Sequence, residues 1–189
     1  MCDAARLLAE KIGNAMAEFN ENIWAPWRME YIRSLGDDVI GESGCFFCAY
    51  FENPTDDQSH HVLWRTEGAL VMLNRFPYTN GHLLIAPRRH SGDPSDFPIE
   101  EHHELTKLTY DAVKVVRTAF NADGFNIGCN LGRCAGAGVP DHLHYHIVPR
   151  WNGDTNFMAV LGATRVIPDG LNAAYERLLE AATQLGFVD

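Results

Sequence analysis

The chain has 189 residues, which suits one ordinary domain and is too short for two large ones. It is 46% hydrophobic, 11% aromatic and 21% charged, so it carries enough apolar surface to bury a core and is no disordered tail. Its formal net charge is −10, with 15 Lys+Arg against 25 Asp+Glu, which argues against nonspecific binding to nucleic acid or an anionic membrane. A small anionic ligand held by local groups stays compatible with that balance.

No apolar run reaches the length of a transmembrane helix. The N-terminus lacks the basic flank and apolar stretch of a secretory signal. Five Cys, an odd number spread from Cys2 to Cys134, fit a reducing cytoplasm better than a disulfide framework.

In chain order, residues 3–20 read as an amphipathic helix with Asp3 as cap and Leu8, Ile12, Met16 and Phe19 on one face. A Trp-rich arm follows, Trp24-Ala-Pro-Trp-Arg28, expected to pack on the body or on a partner subunit. Residues 34–44 are turn-rich. Three short apolar segments, His61 to Arg65, Ala69 to Asn74 and His82 to Pro87, predict an antiparallel meander. Pro98 opens a helix to about Asp123, with Leu105, Leu108, Ala112, Val115, Val116 and Ala119 as its buried stripe and Gly124 after its end. A strand is expected over Phe125 to Asn130, a Gly-rich loop over Leu131 to Pro140, and a strand over His142 to Arg150. A last helix runs from an Asp169 cap to Leu185. The expected fold is α+β, an antiparallel sheet packed by a long helix. It divides into residues 1–44 (helix and arm), 45–152 (the domain) and 153–189 (a C-terminal extension with a helix).

The stretch Asp141-His-Leu-His-Tyr-His-Ile-Val-Pro-Arg150 stands out. His fills about one position in twenty, so three at alternate positions are improbable from composition. In a strand, residues two apart share a face, roughly 6–7 Å from one another. His142, His144 and His146 would then line one face. A row of imidazoles offers metal ligands, a nucleophile with neighbours to tune it, or proton donors beside a phosphate. The bland reading is a solvated strand face. His60, His61, His102 and His103 form two adjacent pairs and are expected to be exposed.

Cys45-Phe-Phe-Cys48 has metal-knuckle spacing but supplies only two of four ligands, so His would complete a zinc site. Two buried apolar Cys or a redox pair are the alternatives, and the flanking pattern is not thioredoxin-like. Cys2, Cys129 and Cys134 receive no role.

His142-Leu-His144-Tyr-His146-Ile-Val148 resembles the signature of the histidine-triad nucleotide hydrolases and transferases. Asn74, Pro77 and Gly81-His82-Leu-Leu-Ile-Ala-Pro87 resemble the strand–turn–strand that precedes the triad in that family. The likeness covers about residues 45–152. The Trp24–Arg28 arm and the stretches Phe125–Gly132 and Pro149–Phe157 most resemble the bacterial diadenosine tetraphosphate phosphorylase branch.

The resemblance implies a homodimer and a set of roles. His144 would attack the α-phosphorus and form a covalent nucleotidyl-histidine. His146 would bond the phosphate or the leaving oxygen. His142 would orient the neighbourhood or bind metal. Asn74 would hold the ribose hydroxyls, Asn130 the phosphates, and the loop of Gly132, Gly136 and Gly138 would offer backbone N–H groups. Trp151 could stack on a base, and His82 is read as structural support. Zinc would be held by Cys45, Cys48, His90 and His142. Magnesium is expected only as a companion of a polyphosphate substrate.

One departure matters. Residues 131–141 contain no Ser, Thr, Asn or Gln, and Gly138 falls where the phosphorylase branch carries a hydroxyl. Three readings follow: phosphorolysis of diadenosine tetraphosphate to ATP and ADP, hydrolysis of dinucleoside polyphosphates or nucleoside phosphoramidates, or a zinc-stabilised nucleotide-binding module without turnover.

Overall fold

A computed structural model describes residues 44–155 and 167–188. The expected helix over residues 3–20, the Trp24–Arg28 arm and nearly all of the turn-rich stretch at 34–44 lie outside them.

Three helices and five strands are described: α1 (Phe46–Glu52), β1 (Val62–Arg65), β2 (Ala69–Leu73), β3 (Leu83–Pro87), α2 (Ile99–Phe120), β4 (Gly124–Cys129), β5 (Tyr145–Arg150) and α3 (Leu171–Gln184). All strand pairs are antiparallel, in the order β1-β2-β3-β5-β4. The α+β architecture expected from the sequence is the one found.

β2 and β3 are buried at every position because both sheet faces are covered. Val71, Leu73, Leu83 and Ile85 pack with α2 and α3. Leu70, Met72, Leu84 and Ala86 pack with Phe47, Tyr50 and Phe51 of α1. The alternation of side chains along each strand separates these two cores.

Four expectations shift. α2 ends at Phe120, before Gly124, because Asn121 takes the left-handed cap conformation (φ 51°) and its N–H returns to the Arg117 carbonyl. Asp169 does not cap α3. Its carboxylate accepts from Asn80 Nδ2 at 2.8 Å and pairs with Arg177 at 3.2 Å, and Gly170 is the cap. The last strand starts at Tyr145 rather than His142, since Pro87 ends β3 and the Leu143 N–H goes to the Ser91 carbonyl at 2.7 Å instead. Finally, only His103 of the four bystander His is exposed. His61 is buried, with Nε2 3.0 Å from Asn172 Oδ1. His60 stacks on Tyr50 at 4.0 Å, and His102 meets the Pro94 carbonyl at 3.0 Å.

Candidate active site and metal centre

His142 and His144 lie on the extended approach to β5, and His146 lies in β5. The alternation persists through the approach. The Phe47 ring is 5.0 Å from His142 and 5.2 Å from His144, and His144 is 5.0 Å from His146. Phe47, which sequence reasoning missed, therefore walls the row from the α1 side. Its only signal was its place inside Cys45-x-x-Cys48.

The tautomer of each imidazole follows from the group that faces it. A carbonyl accepts, so the ring nitrogen facing it must carry the proton. His142 Nε2 faces the Pro87 carbonyl at 2.8 Å, which leaves Nδ1 with a lone pair. His144 Nδ1 faces the His142 carbonyl at 2.8 Å, which leaves the lone pair on Nε2. His82 is the reverse case. Its Nδ1 accepts from the Tyr78 N–H at 3.1 Å and faces the Asn74 amide at 3.2 Å. Its Nε2 is thereby the donor, 3.0 Å from His146 Nδ1. His146 accepts there and carries its own proton on Nε2.

Burial favours the neutral form of His82, His142 and His144. His144 is 5% exposed, and desolvation lowers its pKa against the pull of the His142 carbonyl. Burial, with His146 and His144 adding, lowers His82 to about 3. Burial also lowers His142 to about 4. A neutral imidazole with its lone pair free is a nucleophile, and a neutral imidazole N–H is a donor that does not depend on acid.

The lone pair on His142 Nδ1 points into a group of four. Cys45 Sγ is 3.3 Å away, Cys48 Sγ 3.7 Å and His90 Nδ1 3.3 Å, and Cys48 Sγ is 3.3 Å from His90 Nδ1. All four ligand atoms lie within 4.8 Å of one another. Tetrahedral zinc with usual bond lengths needs about 3.3 Å between nitrogens and about 3.5 Å between sulfur and nitrogen. The donors therefore fit zinc. Burial, opposed by the Cys48 backbone N–H, pushes the Cys45 thiol up to about 11, a cost that a bound dication would reverse. The Pro87 carbonyl supplies the outer bond that aims a metal-binding imidazole.

Gly92 lets this corner close. A Cβ there would run into the Pro140 carbonyl oxygen, so the His90 loop can lie against residues 140–143 only without one.

The remaining sequence candidates are spread around this row. Asn74 is buried at the end of β2, its Oδ1 accepting from the Phe76 N–H at 3.0 Å and its amide meeting His82. Asn130 is half-buried and shares a cavity with His146. Gly136 adopts φ 87° after a short 3-10 turn at Arg133–Ala135, and Gly138 follows on the same half-buried loop. Trp151 also lines the cavity, but its indole N–H is taken by the Phe120 carbonyl at 3.1 Å. His82, expected only to support the core, holds His146. The Tyr78 N–H that orients it could have been suspected from the turn signals at Tyr78-Thr-Asn-Gly81.

Comparison with known proteins agrees with this geometry. The HIT domain matches residues 55–153. The AP-4-A phosphorylase of Mycobacterium tuberculosis is 35% identical over 150 residues, 78% of this chain and 77% of that protein. A Zn-bound histidine triad family protein from Mycobacterium smegmatis superposes with a TM-score of 0.63 at 32% identity, over 78% of this chain and 99% of that one. A hypothetical histidine triad nucleotide-binding protein from Sulfolobus tokodaii gives a TM-score of 0.59 at 26% identity, over 74% and 90%. No described helix is long and apolar enough to cross a membrane.

Proposed function

The chain belongs to the histidine triad (HIT) family, and from that premise we propose that it transfers a nucleotidyl group through His144, phosphorolysing diadenosine tetraphosphate to ATP and ADP. The observation that carries this reading is the His144 ring, buried, neutral and pinned by the His142 carbonyl so that Nε2 keeps its lone pair. The AP-4-A phosphorylase relative supports the choice of substrate.

In the first half-reaction His144 Nε2 bonds to the α-phosphorus and the bond from that phosphorus to the bridging oxygen breaks. ATP leaves with both electrons of that bond. The His146 Nε2–H donates a hydrogen bond to the departing oxygen as charge grows on it. The positive charge on the modified imidazole is stabilised by the His142 carbonyl that already holds its Nδ1–H. In the second half, an oxygen of inorganic phosphate attacks the same phosphorus, the P–N bond breaks, and ADP forms. Asn130 and the backbone N–H of Gly138 hold phosphate oxygens, while the Gly136 N–H is turned to the Arg133 carbonyl at 3.0 Å and Gly136 serves only to bend the loop. The second lone pair of Asn74 Oδ1 accepts from the ribose. Trp151 presents its ring to the cavity.

Cys45, Cys48, His90 and His142 would hold zinc with four protein ligands, and the ion would then tie α1, the His90 loop and the triad together. Magnesium accompanies the polyphosphate. A cytoplasmic homodimer completes the reading. β4 is a sheet edge with Ile127 47% exposed, and a second copy would cover it.

One observation favours hydrolysis instead. The loop that should hold the incoming phosphate lacks a hydroxyl or amide side chain, and Arg133 on it is exposed. Product analysis decides. Diadenosine tetraphosphate yielding ADP and ATP only when phosphate is present supports phosphorolysis. AMP and ATP without phosphate supports the hydrolase. His144→Ala should lower kcat by on the order of 10^4-fold or more, and full activity in that variant would sink the covalent route.

A further inference from the structure

The loop from Asn130 to Val139 joins the two ends of the histidine row. It leaves β4 beside His146, where Gly128 pairs with His146 and Cys129 with Tyr145. It ends beside His142. There Val139 packs against the cluster of Cys45, Phe47 and Tyr50, and its carbonyl accepts from the His142 N–H at 3.4 Å. Its residues therefore border whatever approaches the phosphorus at His144.

This loop is poor in donors. Residues 131–141 contain no Ser, Thr, Asn or Gln. Two central amides are spent on the loop's own fold, Gly136 N–H on the Arg133 carbonyl at 3.0 Å and Ala137 N–H on the Gly132 carbonyl at 3.3 Å. Its one cation is Arg133, which is exposed and three residues from Asn130, so their Cα atoms lie within about 10 Å.

Arg133 also differs from the other cations. Among the described residues, every other Lys or Arg side chain meets a carboxylate, a carbonyl, a phenol or an aromatic ring. Arg150 and Arg177, which line the cavity with His146, are held by Asp154 and Asp169. The Arg133 guanidinium has no such partner among the described residues, and Asp141, the loop's one acid, forms no ion pair with it. An anion can take it without breaking an existing pair. On a chain of net charge −10, an incoming anion needs a local cation, whereas water does not.

We propose that Arg133 captures inorganic phosphate for the second half-reaction and so selects phosphate over water as the acceptor. The assignment rests on the phosphorolysis proposed above and supplies the donor that the loop's other side chains lack. The guanidinium fork holds two oxygens of hydrogen phosphate and leaves a third free. That oxygen bonds to the α-phosphorus, and the electron pair of the P–N bond returns to His144 Nε2. The hydrogen of the incoming phosphate stays on what becomes the β-phosphate of ADP.

The test separates the two half-reactions. Arg133→Ala should raise KM for inorganic phosphate by about 10-fold or more, with kcat at saturating phosphate within about threefold of wild type. ATP release in a single turnover on diadenosine tetraphosphate without phosphate should stay within about twofold, which also certifies that the variant folds. Arg133→Lys keeps the charge but loses the fork, and its KM for phosphate should fall between the two. An unchanged KM for phosphate in Arg133→Ala overturns the assignment, and so does ATP release that falls as far as ADP formation. A wild-type chain that makes ATP and AMP with no dependence on phosphate overturns the phosphorolysis itself, and the role of Arg133 with it. Phosphate-dependent ADP in the wild type with an unaltered Arg133→Ala overturns the role of Arg133 alone.

Discussion

The two ends of the histidine row use the same side chain in opposite ways. At the His142 end a backbone carbonyl takes the Nε2 proton, and the lone pair on Nδ1 joins two thiols and a second imidazole. At the His146 end the lone pair on Nδ1 is spent on His82, and what remains on Nε2 is an N–H. His144, between them, gives its proton to a carbonyl and keeps a lone pair for chemistry. Residue type alone does not distinguish metal ligand, nucleophile and donor. The facing partner does: a carbonyl for the first two, a neighbouring imidazole for the third, and behind that imidazole a backbone N–H.

The strongest way to break this contrast is at the metal end. The chain should carry one zinc as measured by elemental analysis. Chelation or Cys45→Ala should remove it and cost about 3 kcal/mol or more of stability, read as a lower Tm. His144→Ala should keep its zinc. Metal loss that leaves Tm unchanged would reduce the cluster to buried thiols that happen to face two imidazoles.

A smaller effect is expected at the other end. His82→Leu leaves the Tyr78 N–H and the Asn74 amide facing an apolar group in a buried site, costing about 1–3 kcal/mol for each unsatisfied group. It also removes the donor that fixes His146, so kcat should fall by about 10²-fold with little change in KM. His82→Gln can accept and donate in the same positions and should recover much of the rate. Equal losses in both variants would make His82 a packing residue only.

The division of labour was partly legible in the sequence. Alternate spacing placed the three imidazoles on one side, and Cys45-x-x-Cys48 marked half of a metal site. Local pattern reveals such features because they lie within a few residues of one another. The tautomers were not legible. Those of His142 and His146 depend on Pro87, Tyr78 and Asn74, which are 55, 68 and 72 residues or so from the rings they govern directly or through His82, and that of His144 depends on how the chain turns its own His142 carbonyl. The break in β5 escaped for a similar reason. It is set by Pro87 on a different strand, while His142 to Arg150 by itself reads as one continuous run. His60, His61 and His102 looked exposed because adjacency forbids a shared strand face, but they sit in turns and on a helix, where side chains can still find Tyr50, Asn172 and the Pro94 carbonyl.

The smallest effect is the one that tests neutrality itself. His82 is fully buried and its pKa falls from the ordinary 6.5 to about 3, first by desolvation and then by repulsion from His146 and His144. In the unfolded chain it regains its ordinary value. Below pH 6.5 the unfolded state therefore binds a proton that the folded state refuses, and folding stability drops as pH falls. Between pH 6.5 and about 3 this one group contributes a slope of about 1.4 kcal/mol per pH unit, and above pH 6.5 it contributes none. His82→Gln removes the titration while keeping the hydrogen bonds. Urea unfolding from pH 7.5 to pH 5 should show the wild type losing more stability than that variant by about 2 kcal/mol at pH 5. Parallel curves would mean that His82 takes up its proton in the folded protein. The His146 N–H would then depend on acid after all, and the contrast between the two ends would rest on hydrogen bonding without a fixed charge state.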